Sequence, residues 1–213
     1  MPALVKICGI NDAVAMDAAV AARADFLGFV FFPRSPRHVT PARAGELHAR
    51  HRGGPLRVGL FVDASDDDIA AMLAAVPLGL IQLHGEETPE RCAAIRARFG
   101  VQVMKALGIA STGDLDALAR YAPVVDRFLL DAKAPLGAPL PGGNAMPFDW
   151  SLTAGRGIPK PWLLAGGLTP GNVRDAIRAS GAPGVDVSSG VERARGVKDP
   201  TMVMEFAARA RAA

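Results

Sequence analysis

The stretch Leu4-Val5-Lys6-Ile7-Cys8-Gly9-Ile10 is an apolar run that contains one lysine and ends with a cysteine, a glycine and an isoleucine. Its composition predicts a buried β-strand. Because successive side chains of a strand point to opposite faces, Lys6 and Cys8 are expected to share one face and Val5 and Ile7 the other. A cation beside a thiol favours the thiolate, so Cys8 is a candidate proton acceptor. The alternative is that Cys8 is a small apolar core residue, as most buried cysteines are.

Beyond this strand, the chain repeats one pattern of strand followed by helix. Seven further strands are predicted at Phe26 to Phe31, Leu56 to Val62, Leu80 to Leu83, Val101 to Leu107, Arg127 to Leu130, Trp162 to Ala165 and Val185 to Val187. A mean spacing of roughly 27 residues suits crossovers between parallel strands. We therefore predict an α/β fold, a single-domain (β/α)8 TIM barrel with parallel strands over residues 1–213. The alternative is an open doubly wound sheet, which usually has fewer strands.

Capping residues and composition predict the segments between the strands. Helices are expected from Asn11 or Asp12 to about Ala24, from Thr40-Pro41 to about His51, after Ser65, after Thr88-Pro89, over Thr112 to Tyr121, over Phe148 to about Gly155, after Thr169-Pro170 and after Asp199-Pro200. Residues 132–147 contain four prolines and three glycines. Such a long irregular loop is expected to be a functional lid or a mobile connection.

Bulk composition excludes several classes of protein. The chain is 50% hydrophobic over 213 residues, and we expect that Cys8 and Cys92 do not pair and that Cys92 packs inside the fourth helix. We find no apolar run near ~18 residues and no signal peptide, which predicts a cytoplasmic protein. The net charge of +3 comes from scattered arginines and predicts a small anionic substrate rather than nucleic acid. Four dispersed histidines argue against a metal site.

Polar residues gather where the predicted strands end. In a barrel these positions meet at one mouth, where the active site lies. The residues concerned are Cys8, Asp63, His84, Asp131, Gly166-Gly167 and Ser188-Ser189-Gly190. Their shared placement predicts an enzyme.

The segments after strands seven and eight predict a phosphate site. Gly166, Gly167 and Gly190 let an anion approach backbone amides, and Ser188 and Ser189 add hydroxyl donors, with a short helix beginning near Ser189. These loops are the usual phosphate site of such barrels. Since no nucleotide-binding motif is present, a phosphorylated small molecule is expected.

Cys8 and Asp131 are then a candidate base and acid across the barrel mouth. A thiolate assisted by Lys6 can remove a proton from carbon, and a carboxylic acid can protonate a ring oxygen. The alternative for Asp131 is a helix cap or an ion-pair partner of Lys133. A serine-histidine-aspartate triad is not favoured, because no nucleophile-elbow sequence is present.

Several motifs, in order along nearly the whole chain, resemble the phosphoribosylanthranilate isomerase family. They are Lys6-Ile7-Cys8-Gly9-Ile10, Phe31-Phe32-Pro33-Arg34-Ser35-Pro36-Arg37, Gln82-Leu83-His84-Gly85, Phe128-Leu129-Leu130-Asp131, Phe148-Asp149-Trp150, Leu164-Ala165-Gly166-Gly167-Leu168 and Val185-Asp186-Val187-Ser188-Ser189-Gly190-Val191-Glu192. One departure is Gly142 to Pro147, which replaces the family's usual Gly-Gly-Ser/Thr-Gly before Phe148.

The resemblance implies an isomerase of tryptophan biosynthesis that needs no cofactor. It would carry out an Amadori rearrangement of N-(5-phosphoribosyl)anthranilate with Asp131 as acid and Cys8 as base. Arg37 would lie near the anthranilate carboxylate, His84 at the mouth with or without direct substrate contact, and Asp186 is carried over by its motif. No nucleic-acid or membrane partner is implied, and the chain would be a monomer or homodimer.

Two other functions remain as alternatives. The first is a related sugar-phosphate isomerase of histidine biosynthesis, or a bifunctional version, but these use a carboxylate where this chain has Cys8. The second is a non-catalytic phosphate-binding barrel, against which the presence of both Cys8 and Asp131 argues.

Overall fold

The computed structural model describes residues 2–134 and 147–213. Eight parallel strands from these residues form a closed barrel in sequence order, so the predicted barrel is confirmed and the open sheet is wrong. The strands are β1 (Leu4–Cys8), β2 (Phe26–Val30), β3 (Leu56–Phe61), β4 (Leu80–Leu83), β5 (Gln102–Ile109), β6 (Arg127–Ala132), β7 (Trp162–Leu164) and β8 (Gly184–Val187). β1 pairs with β8 to close the barrel.

Helices surround the barrel in the order that the capping residues predict. They are α1 (Ala13–Ala21), α2 (Pro41–Arg50), α3 (Asp66–Ala75), α4 (Pro89–Phe99), α5 (Ala117–Tyr121), α6 (Val173–Ser180) and α7 (Pro200–Arg211). The side chains of Asp12, Thr40, Ser65, Thr88 and Asp199 accept backbone N–H bonds at five of the helix starts. These bonds satisfy donors that the first turn of a helix leaves free.

Successive side chains of each strand point alternately outward and inward, which produces two separate apolar layers. Outward side chains such as Val5, Ile7 and Leu27 join the core between sheet and helices, where Cys92 of α4 also packs as predicted. Inward side chains fill the barrel itself, with Val58, Leu80 and Leu129 among them. The polar side chains that point inward therefore lie above a layer of apolar side chains that fills the barrel.

Several predicted boundaries are wrong. β6 runs to Ala132, so Asp131 lies within the strand rather than after it. The segment Thr112 to Tyr121 is a 3₁₀ turn (Thr112–Asp116) followed by α5, and only Trp150–Thr153 of the predicted helix at Phe148 is helical, again as 3₁₀. Asn172, not Thr169, precedes α6, because the Asn172 side chain accepts from the Thr169 N–H and forms a turn there.

The segment after β8 contains a hairpin that the sequence pattern did not predict. A 3₁₀ turn at Ser189–Val191 leads into β9 (Glu192–Ala194), which pairs antiparallel with β10 (Val197–Lys198). Most of the predicted long loop, and all but the last residue of the Gly142 to Pro147 departure, lie outside the described residues. Among the helices in residues 2–134 and 147–213, none has the length and apolar character that a membrane-spanning segment requires.

Candidate active site

Lys6, Cys8 and Asp186 form a buried group inside the barrel. Lys6 and Cys8 share the inner face of β1, as predicted, and Nζ of Lys6 donates to Oδ1 of Asp186 over 2.9 Å. A Cβ atom at Gly28, the register partner of Cys8 on β2, would lie 2.9 Å from Sγ of Cys8 and 3.2 Å from Nζ of Lys6. The absence of a side chain at Gly28 therefore leaves room for both groups.

Burial and ion pairing together determine the protonation of this group. Burial raises the pKa of the Cys8 thiol, and the attraction of Lys6 and Lys198 opposes this rise without cancelling it. Burial disfavours the charged form of Lys6, but the Asp186 carboxylate outweighs it and raises the pKa of that ammonium. Lys6 therefore acts in the expected direction and favours the thiolate, but burial of both groups leaves the pKa of the Cys8 thiol above its ordinary value.

Asp131 and His84 meet at the mouth, on β6 and just after β4. Nε2 of His84 lies 3.4 Å from Oδ2 of Asp131, and Oδ1 of Asp131 accepts the N–H of Ala132 over 2.8 Å. The alternative partner, Lys133, pairs with Asp114 instead, and β6 continues through Asp131, so the ion-pair and helix-cap readings of Asp131 are wrong. Asp131 is 7% exposed and keeps one oxygen facing the histidine.

Asp186 connects the two groups. It lies on β8, which adjoins the strand of Cys8 and is separated from the strand of Asp131 by β7, and its charge interacts with Lys6, Asp131 and His84. A cleft of about 340 Å³ opens beside Asp131 and is lined by His84, Lys105, Tyr121 and Lys133 among others. His84 and Asp131 therefore face one open cleft, whereas Cys8 and Asp186 are not among the residues that line it.

Arg37 belongs to a second buried charge cluster. Its Nε and Nη2 donate to the two carboxylate oxygens of Glu192 over 2.6 and 3.0 Å, and Nζ of Lys198 donates to the same carboxylate over 2.8 Å. Burial would raise the pKa of Glu192, but the two cations hold it at about 2. The three side chains carry a net charge of +1, which favours an anionic group nearby.

Sequence reasoning missed Glu192 and Lys198 as parts of the site. Glu192 ends the motif that follows β8, and the sequence around Lys198 carries no pattern that indicates a functional site. Both lie in the β9–β10 hairpin, whose pairing places Lys198 opposite Glu192. No local pattern relates Glu192 to Arg37, which is 155 residues away along the chain.

The predicted phosphate residues lie in two loops that follow the paired strands β7 and β8. Gly166 and Gly167 have φ of +87° and +64°, a conformation that glycine adopts readily. A Cβ atom at Gly190 would overlap the carbonyl oxygen of Leu168, so the two loops touch. The hydroxyl of Ser188 donates to the carbonyl of Cys8 over 3.1 Å and is not a free donor, whereas Ser189 begins the 3₁₀ turn.

Asp63 lies at the mouth as predicted but holds two loops together. Its carboxylate accepts the N–H of Glu86 over 2.8 Å, and its own N–H donates to Glu87 over 2.9 Å. Glu87 also pairs with Lys105 over 2.8 Å, and both side chains are buried. Sequence reasoning missed Glu87, because a charged residue in a predicted loop resembles an ordinary surface residue.

Comparisons with known proteins give the family of this chain. A model of the family described as N-(5'-phosphoribosyl)anthranilate (PRA) isomerase matches residues 5–209. A relative from Paracoccus denitrificans with the same name is 59% identical over 212 residues, which cover 100% of this chain and 99% of the relative.

Two solved structures are similar over nearly the whole chain. Phosphoribosyl anthranilate isomerase from Thermotoga maritima is 36% identical with a TM-score of 0.88, covering 99% of this chain and 100% of its own. A structure of such an enzyme with reduced 1-(o-carboxyphenylamino)-1-deoxyribulose 5-phosphate is 35% identical with a TM-score of 0.86 and the same coverage.

Proposed function

The chain belongs to the N-(5'-phosphoribosyl)anthranilate isomerase family, and we propose that Cys8 and Asp131 are the base and the acid of its reaction. The enzyme converts N-(5'-phosphoribosyl)anthranilate to 1-(2-carboxyphenylamino)-1-deoxyribulose 5-phosphate in tryptophan biosynthesis. This is an Amadori rearrangement, in which an aldose derivative becomes a ketose derivative by proton transfers alone.

The first two proton transfers each have a candidate group. Asp131 gives its proton to the ring oxygen, the bond from C1 to that oxygen breaks, and the anthranilate nitrogen, which keeps its hydrogen, forms a protonated imine with C1. The thiolate of Cys8 then removes the C2 proton, and the C–H electron pair forms an enolamine. Loss of the proton from the C2 hydroxyl and protonation of C1 yield the ketone. Acid and base groups of this kind contribute about 10²- to 10⁴-fold each.

One observation carries this assignment. Cys8 lies beside Lys6, which donates to Asp186 on β8 over 2.9 Å, and Asp131 lies 3.4 Å from His84 near the same end of the barrel. A substrate that lies across this end can meet a base on one side and an acid on the other. Structural cysteines and aspartates seldom share such a placement, since buried ionisable groups cost free energy unless they are used or paired.

Substrate binding is proposed for the other predicted residues. The guanidinium of Arg37 keeps N–H groups beyond those that Glu192 occupies, and a planar donor suits the anthranilate carboxylate. Backbone amides of Gly166, Gly167, Ser189 and Gly190 would hold the phosphate, with Ser188 contributing through its main chain. His84 and Asp186 would act chiefly on Asp131 and Lys6, with which they are in contact.

The test measures loss of phosphoribosylanthranilate fluorescence with the wild type and with Cys8→Ala and Asp131→Asn. Each variant should lose at least about 10²-fold in kcat. Cys92→Ala is the matched control, because Cys92 is equally buried but lies in α4, in the layer outside the barrel. Near-normal kcat in Cys8→Ala or Asp131→Asn would remove that residue from the mechanism. Turnover of the histidine-pathway substrate would contradict specificity for one substrate.

We also propose a domain organisation, an oligomeric state and a cellular compartment for the protein. Residues 1–213 would act as one catalytic domain. One similar solved structure is of mutually generated monomers of the dimeric phosphoribosylanthranilate isomerase from Thermotoga maritima, and we propose a monomer or homodimer for this chain. The unpaired thiols of Cys8 and Cys92 suit a reducing compartment, and we propose the cytoplasm.

A further inference from the structure

Gln82 and His84 are in direct contact inside the barrel mouth. Two residues apart along one extended segment, they point to the same side. Gln82 is fully buried, and its amide Nε2 lies 2.9 Å from Nδ1 of His84. The opposite ring nitrogen, Nε2 of His84, faces Oδ2 of Asp131 at 3.4 Å. The imidazole therefore joins a buried amide to the proposed acid.

The amide can meet the ring in two orientations with different consequences. If Nε2 of Gln82 donates, Nδ1 of His84 is an acceptor, and a neutral ring carries its proton on Nε2. If the amide is turned, Oε1 accepts from Nδ1–H and the amide N–H groups lose their partner. In the first orientation one amide N–H bonds to Nδ1, and Oε1 and the second N–H lack a partner among the described residues, whereas in the turned orientation neither N–H has one. A buried carbonyl oxygen tolerates this better than a buried N–H group, so the first orientation is favoured.

This tautomer has a direct effect on Asp131. Oδ1 of Asp131 already accepts the Ala132 N–H, and Oδ2 is the oxygen toward which Nε2–H of His84 points. A hydrogen bond from Nε2–H is stronger to the carboxylate than to the neutral acid. This hydrogen bond therefore becomes stronger while Asp131 gives up its proton. An interaction that is stronger in the transition state than in the ground state accelerates the reaction. The distance of 3.4 Å is long, and such bonds commonly shorten when substrate binds.

We propose that Gln82 is a positioning residue for the isomerisation. Its buried amide holds His84 in the tautomer that directs Nε2–H to the Asp131 carboxylate as this acid loses its proton. The inference rests on the proposed role of Asp131. It also explains why a polar residue occupies a fully buried position on an otherwise apolar inner strand face, where Leu80 of the same strand is apolar.

The first test is nitrogen NMR of the unmodified protein labelled at its histidines. A His84→Gln variant identifies the His84 signals among those of the four histidines. At a pH where the ring is neutral, the expected spectrum shows a proton on Nε2 and none on Nδ1. A proton on Nδ1 of His84 in the wild type would overturn the proposal, and this measurement needs no variant of Gln82 to fold.

The second test compares Gln82→Met with Gln102→Met. Gln102 lies on the neighbouring strand, is exposed and has no place in the site, so it controls for the chemical change. In Gln82→Met, the His84 signals should show a mixture of tautomers, and kcat should fall about tenfold or more with KM changed less than about twofold. An unchanged tautomer or an unchanged kcat in a folded Gln82→Met variant would contradict the proposal. If instead Asp131→Asn keeps its activity, the role of Asp131 fails while the NMR result for Gln82 stands.

Discussion

Nζ of Lys6 lies 2.9 Å from Oδ1 of Asp186, its register partner on the adjoining strand, and both side chains are buried. The two residues are 180 positions apart, and their contact forms where the first and last strands close the barrel. A buried ion pair offsets the desolvation of its two charges only while both are present. Closure of the barrel therefore brings the Asp186 carboxylate to Lys6, the cation that lies beside Cys8.

We expect Asp186→Asn to destabilise the protein strongly. The change leaves the Lys6 ammonium buried without its counter-charge, so the free energy of unfolding in urea should fall by about 3 kcal/mol. Asp17→Asn is the control, because Asp17 pairs with Arg50 at the surface and its loss should leave the urea midpoint almost unchanged. Equal losses in the two variants would show that burial of the pair is not important.

The pH dependence of kcat/KM should report Cys8. Burial raises the pKa of this thiol, so the thiolate is the minor form at neutral pH and increases as pH rises toward the pKa. We therefore expect kcat/KM of the wild type to keep rising above about pH 8.5, the ordinary range for cysteine. A Cys8→Asp variant, whose base ionises at lower pH, should lack this alkaline rise. A wild-type profile that is flat from neutral to alkaline pH would contradict the thiolate role.

Glu192→Gln should weaken substrate binding more than it slows the chemistry. The amide cannot accept at both positions, so Arg37 loses the two-point contact that orients it. We expect KM to rise about tenfold with kcat within about twofold, as for loss of an interaction shared by ground and transition states. Glu46→Gln, which breaks the exposed pair with Arg43, should change neither constant. A fall in kcat at constant KM would place Glu192 in the chemistry instead.

Gly190→Ala should damage the proposed phosphate site. The added methyl group would overlap the Leu168 carbonyl oxygen and separate the loops that follow β7 and β8. Overpacking of this kind costs about 1–3 kcal/mol, so the inhibition constant of inorganic phosphate as a competitive inhibitor should rise roughly tenfold. Gly157→Ala adds a methyl group in open space and should leave that constant unchanged. Equal inhibition of both variants would argue against phosphate binding at these loops.

The site itself was only partly predictable. Cys8, His84 and Asp131 were found because they stand at or near the ends of strands that a parallel barrel brings to one mouth. The contact between Gln82 and His84 could also have been read from the sequence, because residues two apart on a strand share a face. Glu192 could not, because its partner Arg37 is 155 positions away and their meeting depends on the hairpin after β8.

By itself, the sequence determined the order of the eight barrel strands, the shared face of Lys6 and Cys8, and the positions of five helix caps, because each depends on neighbours a few residues away. The tertiary structure decided which charges meet and how deeply they are buried. It brought Asp186 to Lys6 and made burial outweigh the lysine at Cys8. Desolvation and ion pairing depend on everything packed around a group, and that surrounding is complete only when the barrel has closed.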